Sequence, residues 1–142
     1  MKISTKGRYA LRVMLDLALH TGGYIPVREI ASRQGISDKY LEQIVARLQS
    51  AGYVRSVRGA GGGYQLTGPA GRYTVGEILR LMEGDLSPAD CVENTACPRA
   101  GYCVTKDVFT EIKQAIDNVV DNITLADLAE RHRNRQPTDY SI

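Results

Sequence analysis

The sequence predicts a mainly α-helical fold carrying one small β-hairpin, and three stretches of its 142 residues predict it. Residues 37–52, SDKYLEQIVARLQSAG, repeat apolar groups at Leu41, Ile44, Val45 and Leu48, the three- and four-residue steps that fill one side of a helix. Residues 53–68, YVRSVRGAGGGYQLTG, place two short strand-like runs around a cluster of glycines. Near the end, Val108, Ile112, Ala115, Ile116, Val119 and Val120 form an apolar stripe about four turns long.

Ser4 or Thr5 can cap a first helix from about Lys6 to His20, apolar around most of its girth. Such a helix must be covered on more than one side, which hints at a partner subunit. Val27, Ile30 and Ala31 then stand at helical spacing, and Gly35 lies in the turn before Ser37, the N-cap of the next helix. Two short helices joined this way are spaced as a helix-turn-helix. Gly52 stops the second. Its outer face carries Lys39, Glu42, Gln43 and Arg47, long polar side chains able to read a DNA major groove. A charged outer face is common to surface helices, so the neighbours decide. A helix-turn-helix followed by a hairpin is a winged helix, and that combination points to nucleic acid.

The glycines of the hairpin match neither phosphate-loop pattern. No Lys-Ser/Thr follows them, and the third glycine of a dinucleotide fingerprint would fall at Tyr64. They read instead as a tight wing tip whose bare backbone can approach phosphate. Arg58, at its base, is placed to enter a narrow minor groove or to touch phosphate. The DNA-binding set expected from helix and wing is Ser37, Lys39, Tyr40, Glu42, Gln43, Arg47, Arg58, Gly59 and Gly61.

Thr74 and Glu77 make a capping box that starts a further helix, ending at Gly84. A long helix follows from Lys106 or Asp107, and its isolated stripe predicts pairing with a second copy of the chain. Thr124 and Asp127 cap a last short helix, and the polar end reads as unstructured. The expected organisation is therefore a winged helix-turn-helix over 1–84, a cysteine-bearing loop over 85–105, a dimerisation helix with its short successor over 106–130, and a disordered tail over 131–142.

Charge divides the same way. Residues 1–60 hold ten Lys and Arg against four Asp and Glu, and residues 61–142 hold eight against twelve, so a front half of +6 joins a back half of −4. A basic half suits docking on phosphates. No apolar run nears the roughly eighteen residues that span a bilayer, and Arg12 and Asp16 interrupt the N-terminal apolar segment that otherwise mimics a signal peptide. A cytoplasmic chain is expected, with no membrane partner. Nothing pairs a nucleophile with a base or shapes a substrate site, so an enzyme is not expected.

Cys91, Cys97 and Cys103 stand with five residues between each and the next, beside Pro98 and Gly101. Structural zinc sites favour close CxxC pairs, which these are not. Three thiolates with one other ligand can hold an iron-sulfur cluster, while zinc, a redox thiol or inert cysteines remain alternatives.

MKISTKGRYALRVMLDLALH, YLEQIVARLQSAGYVRSVRGAGGGYQL, and CVENTACPRAGYC before a long helix and NITLADL together resemble the IscR-type family of bacterial winged-helix transcription regulators. The resemblance runs nearly the whole length and keeps helix, wing and cysteine triplet in order. It implies a homodimer on pseudo-palindromic promoter DNA, a repressor of iron-sulfur cluster biogenesis genes that senses a bound cluster, with 2Fe-2S as the expected form. It assigns Cys91, Cys97 and Cys103 as cluster ligands, turns Lys39, Glu42 and Gln43 to bases, and places Arg58 with the wing glycines in the minor groove. One departure stands out. Cluster-binding members commonly carry a histidine three residues after the last cysteine, where this chain has Lys106. Asp107, His20, Asp16 or a small exogenous ligand would then complete the site, with Asp107 favoured by proximity. A nitric oxide-sensing, redox-sensing or zinc/thiol-based regulator of the same superfamily is the alternative.

Overall fold

A computed structural model describes residues 1–135. Helix α1 (Thr5–Leu19) begins at Ser4, whose hydroxyl accepts the Gly7 N–H at 3.1 Å. It buries Ala10, Val13, Met14 and Leu17 and is the hub of the molecule. Much of its apolar girth is covered from within the same chain, by four of the five other helices and by one strand of the hairpin.

Helix α2 (Val27–Gln34) ends at Gly35 in the left-handed conformation, and α3 (Asp38–Ser50) begins at once, its Ser37 cap accepting the Tyr40 N–H at 3.0 Å. Leu41, Ile44, Val45 and Leu48 are wholly inaccessible, each burial contributing roughly 1.5–3 kcal/mol. That inward stripe fixes the roll of α3 and so dictates which side chains face out.

Strands β1 (Val54–Val57) and β2 (Gly63–Leu66) pair antiparallel, with Val54 opposite Leu66 and Val57 opposite Gly63. Only Val54 of β1 is buried. The rest of β1 is exposed because the hairpin reaches beyond the core and meets water on both faces. Ile25, just before α2, adds a bridge to Tyr64 through two 2.8 Å backbone bonds, so the hairpin is anchored to the helix-turn-helix.

Helix α4 (Val75–Glu83) has the predicted capping box and stops at Gly84. Helix α5 (Val104–Val120) starts two to three residues earlier than its sequence suggests, with Cys103 as N-cap. Cysteine is a poor capping residue, so the start carried no signal. Helix α6 (Leu125–Arg135) turns back onto α1, and Leu125 N–H donates to the Tyr73 carbonyl at 2.9 Å. Thr124 and Asp127 make the expected reciprocal cap. The unstructured end expected from residue 131 is corrected as far as Arg135, which α6 still includes because Leu125 and Ala129 dock it on the core. The rest of that expected tail, 136–142, lies outside the described residues.

A first core joins α1, α2, α3, β1 and α6, and a smaller one gathers Val75, Leu79, Leu86 and Val120. Along α5 only Val120 is buried; Val108, Ile112 and Val119 are 50%, 43% and 58% exposed.

Candidate nucleic-acid interface and cysteine loop

The inward stripe of α3 leaves Lys39, Glu42 and Gln43 exposed on its outer side, with Tyr40 half-buried beside them. Tyr40 is held edge-on to Tyr9 of α1, ring centroids 5.9 Å apart. The Ser37 hydroxyl is spent on the helix cap. Arg47 departs from this set. Eight residues beyond Lys39 it lies about 80° further round the helix, and its Nη2 donates to the Leu81 carbonyl of α4 at 2.9 Å. There it satisfies one of the carbonyls that a helix end leaves open.

The wing stands beside this face. Gln49 of α3 donates to Ser56 Oγ of β1 at 3.1 Å, and Arg55 donates to Gln65 across the hairpin at 2.7 Å. Arg58 and Gly59 share a cleft of about 430 Å³ with Gln49, Ser56 and Pro26. Gly59 and Gly61 have φ of +93° and +76°, backbone that side chains resist, so the tip is bare by necessity. Gly63, at φ +145°, has no room for a Cβ, which would collide with the Ile25 carbonyl. Tyr64, half-buried, ionises above its ordinary range because of its partial burial and then because of the Glu42 charge. Lys39, Glu42 and Gln43 are thus exposed on α3, and Arg58, Gly59 and Gly61 are exposed on the hairpin that Gln49 ties to it.

Asp16, which interrupts the apolar run of α1, takes part in a buried group. Asp16, in the last turn of α1, is 3% exposed, and its carboxylate accepts from Arg33 Nε (3.0 Å) and Nη2 (2.8 Å) and from Gln34 Nε2 (2.9 Å). Two helices are tied by one buried charge. His20 Nδ1 sits 2.8 Å from the Asp16 carbonyl. Asp16 and His20 were candidate fourth ligands; the Asp16 carboxylate is committed to holding α2 in place.

The cysteines occupy the stretch between α4 and α5. Cys91 sits in a short 3-10 turn (Asp90–Val92), Cys97 is exposed and Cys103 caps α5, and all three thiols are free. Among the described residues no three His, Cys, Asp or Glu side chains are gathered as a metal would gather them. The donor chemistry nonetheless fits a soft metal group. Backbone bonds from Val92 to Ala89, Ala100 to Cys97 and Tyr102 to Arg99 are all local, leaving the stretch free to rearrange around a ligand. The Cys103 thiol is held below the usual cysteine range by the Thr105 hydroxyl at 3.1 Å and by backbone N–H groups at the start of α5, which favours the thiolate that metals bind. Asp107, exposed in the first turn of α5, follows Cys103 by one helical turn.

A family model for Rrf2, the iron-dependent transcriptional regulators, matches residues 3–131. The chain belongs to the Rrf2 family. The HTH-type transcriptional regulator IscR of Yersinia pestis is 40% identical over 129 residues, covering 90% of this chain and 79% of that protein. The T. potens IscR structure superposes with a TM-score of 0.80 at 41% identity, over 99% of this chain and 94% of that one. CymR, the global cysteine regulator of B. subtilis, gives the same TM-score at 39% identity, over 92% and 98%. This Rrf2 chain is accordingly a winged-helix transcriptional regulator, similar to IscR and CymR, and not an enzyme. Among the described residues no helix is long and apolar enough to cross a membrane.

Proposed function

We propose that the chain works in the cytoplasm as a homodimeric repressor of iron-sulfur cluster biogenesis genes, governed by an iron-sulfur cluster on Cys91, Cys97 and Cys103. The observation that carries the DNA part is the placement of the exposed face of α3 beside a bare glycine wing. In this reading α3 enters a major groove with Lys39, Tyr40, Glu42 and Gln43. Ser37 holds its first turn, and Arg58 with Gly59 and Gly61 enters the adjacent minor groove. Arg47 acts from behind, on α4. Glu42 sets selectivity: a carboxylate accepts from cytosine N4 and repels phosphate.

Two copies are supported by α5. Its exposed Ile112 and Val119 line an apolar groove with Met1, Ile3 and Leu86, a surface that a second α5 would cover. Dimerisation would set the two reading helices about one DNA turn apart, or a multiple of it.

The cluster reading rests on three free thiols in a locally bonded stretch and on the likeness to IscR. A 2Fe-2S cluster with Asp107 as fourth ligand is the form we favour, and when bound it would supply a centre sensitive to oxidants and to iron supply. The low-lying Cys103 thiol and the likeness to CymR favour one alternative, a thiol-based switch.

Iron and acid-labile sulfide measured per chain after purification without oxygen decide between them. Near-equal iron and sulfide, lost when Cys91, Cys97 or Cys103 becomes alanine, supports the cluster; free thiols with neither element refute it. Duplex affinity falling steeply with salt, as released counterions require, tests the DNA part independently.

A further inference from the structure

Glu93 lies two residues beyond Cys91, and its carboxylate is 3.4 Å from Lys113 Nζ of α5. The same ammonium donates to Asp117 Oδ2 at 2.7 Å. The other oxygen of Asp117 accepts from Arg80 Nη2 of α4 at 2.8 Å, and Arg80 also pairs with Asp121. One residue further along α4, the Leu81 carbonyl accepts from Arg47 of α3. Charged contacts therefore run from the cysteine stretch across α5 to Arg80 of α4, and from there the α4 backbone leads one residue on to the carbonyl that Arg47 of α3 holds.

Two features set these pairs apart from isolated surface ion pairs. Lys113 and Asp117 are each shared by two opposite charges and are only 22% and 29% exposed, so screening acts on them less than on groups in open water. Gly76 of α4 lies directly beneath the cluster. A Cβ there would displace the Asp121 carboxylate and the Arg80 guanidinium, so the missing side chain leaves the space that this ion pair occupies.

We propose that Lys113 and Arg80 are positioning residues that couple the arrangement of the cysteine stretch to the roll of α3. When Glu93 moves with its loop, Lys113 turns wholly to Asp117, and the share of that carboxylate left to Arg80 changes. Arg80 sits in the last turns of α4, whose end Arg47 holds, so the adjustment reaches the reading helix. The coupling deepens the regulatory reading above and rests on α3 being the helix that meets DNA, but it requires no particular group on the thiols.

Contiguity alone does not carry coupling, so the test perturbs one end and reads the other. Native protein is alkylated at its cysteines with N-ethylmaleimide, and amide hydrogen exchange is followed over residues 38–50. In the wild-type chain alkylation should change exchange in α3 by about five-fold, the low end expected for coupled sites because the chain of charges is partly exposed. Lys113→Met and Glu93→Gln should each abolish that response, and Lys113→Arg should restore it. Glu93 is 58% exposed, so its amide variant keeps the fold and serves as the check should Lys113→Met prove unstable. An unresponsive α3 in the wild-type chain, or an undiminished response in both variants, overturns the proposal. Binding of a mixed-sequence duplex, measured on the same samples, reports separately: a chain that shows the coupling but ignores DNA refutes the regulatory reading and leaves the coupling standing.

Discussion

Replacing Asp16 by alanine should cost the chain far more than a surface ion pair would. The carboxylate accepts three hydrogen bonds while only 3% exposed, two from Arg33 and one from Gln34. Bonds to a charged group contribute roughly 1.5–3 kcal/mol each when taken singly, and three would sum to about 5–9 kcal/mol. The sum overstates the loss, because the Arg33 side chain is 34% exposed and regains water once released. Gln34 also keeps its bonds to Arg12. A loss of about 2–4 kcal/mol remains, and for a chain of this length each kcal/mol lowers Tm by roughly 3 °C. Thermal unfolding followed by circular dichroism should accordingly show Tm falling by about 6–12 °C. Asp16→Asn should recover little, since an amide turns a donor towards donors already present. Below the transition the variant should also bind duplex DNA more weakly, because the carboxylate fixes the last turn of α2 from which α3 departs. A fall in Tm under about 3 °C would refute the reasoning and mark the cluster as an ordinary exposed pair.

Further outcomes follow from single contacts. Gly63→Ala combines a left-handed φ with a collision at the Ile25 carbonyl and should destabilise the chain by about 2–3 kcal/mol, read by urea unfolding, with loss of duplex binding as the wing comes adrift. Thr105→Val removes the hydroxyl that favours the Cys103 thiolate, so the pH at which Cys103 begins to react with iodoacetamide, resolved by peptide mass, should move upward. Asp117 is held below the ordinary aspartate value of 3.8 by Lys113 and then Arg80. Its stabilising effect is thus complete above that value and lost as pH falls through the lowered native one; Asp117→Asn should reduce stability at neutral pH and converge with wild type in strong acid. Arg58→Ala should weaken binding most at duplexes with a narrow minor groove, whereas a uniform loss in a panel of sequences would reassign Arg58 to phosphate.

Helix α3 and the hairpin were legible in the sequence because their signals are local. Leu41, Ile44, Val45 and Leu48 state the period of α3 within eight residues, and glycines state where the backbone must turn. What escaped depends on partners distant in sequence. Asp16 looked like a break in an apolar helix because Arg33 and Gln34, which make it a buried anchor, lie on another helix 17 and 18 residues away. Arg47 shared the outward face of α3 by helix geometry, and only the packing of α4, 34 residues on, claims it. The cysteines announced their chemistry by type and spacing but not their arrangement, since the stretch that holds them contributes few side chains to either core.

The return of α6 onto α1 bears on how the protein can be taken apart. Leu125 belongs to the same core as α1 and α3, and Val75 and Leu125 exchange backbone bonds with Ile123 and Tyr73. A fragment comprising only the first 84 residues would keep helix-turn-helix and wing yet bare the apolar floor on which α6 rests. Excision of the reading head would thus yield a sticky, weakened piece, whereas a chain whose α5 is shortened by whole turns keeps the α6 lid within reach only if the span from Glu83 to Leu125 still closes. The core beneath α3 and the hairpin is thus discontinuous in sequence, and the cysteine stretch lies between its two parts.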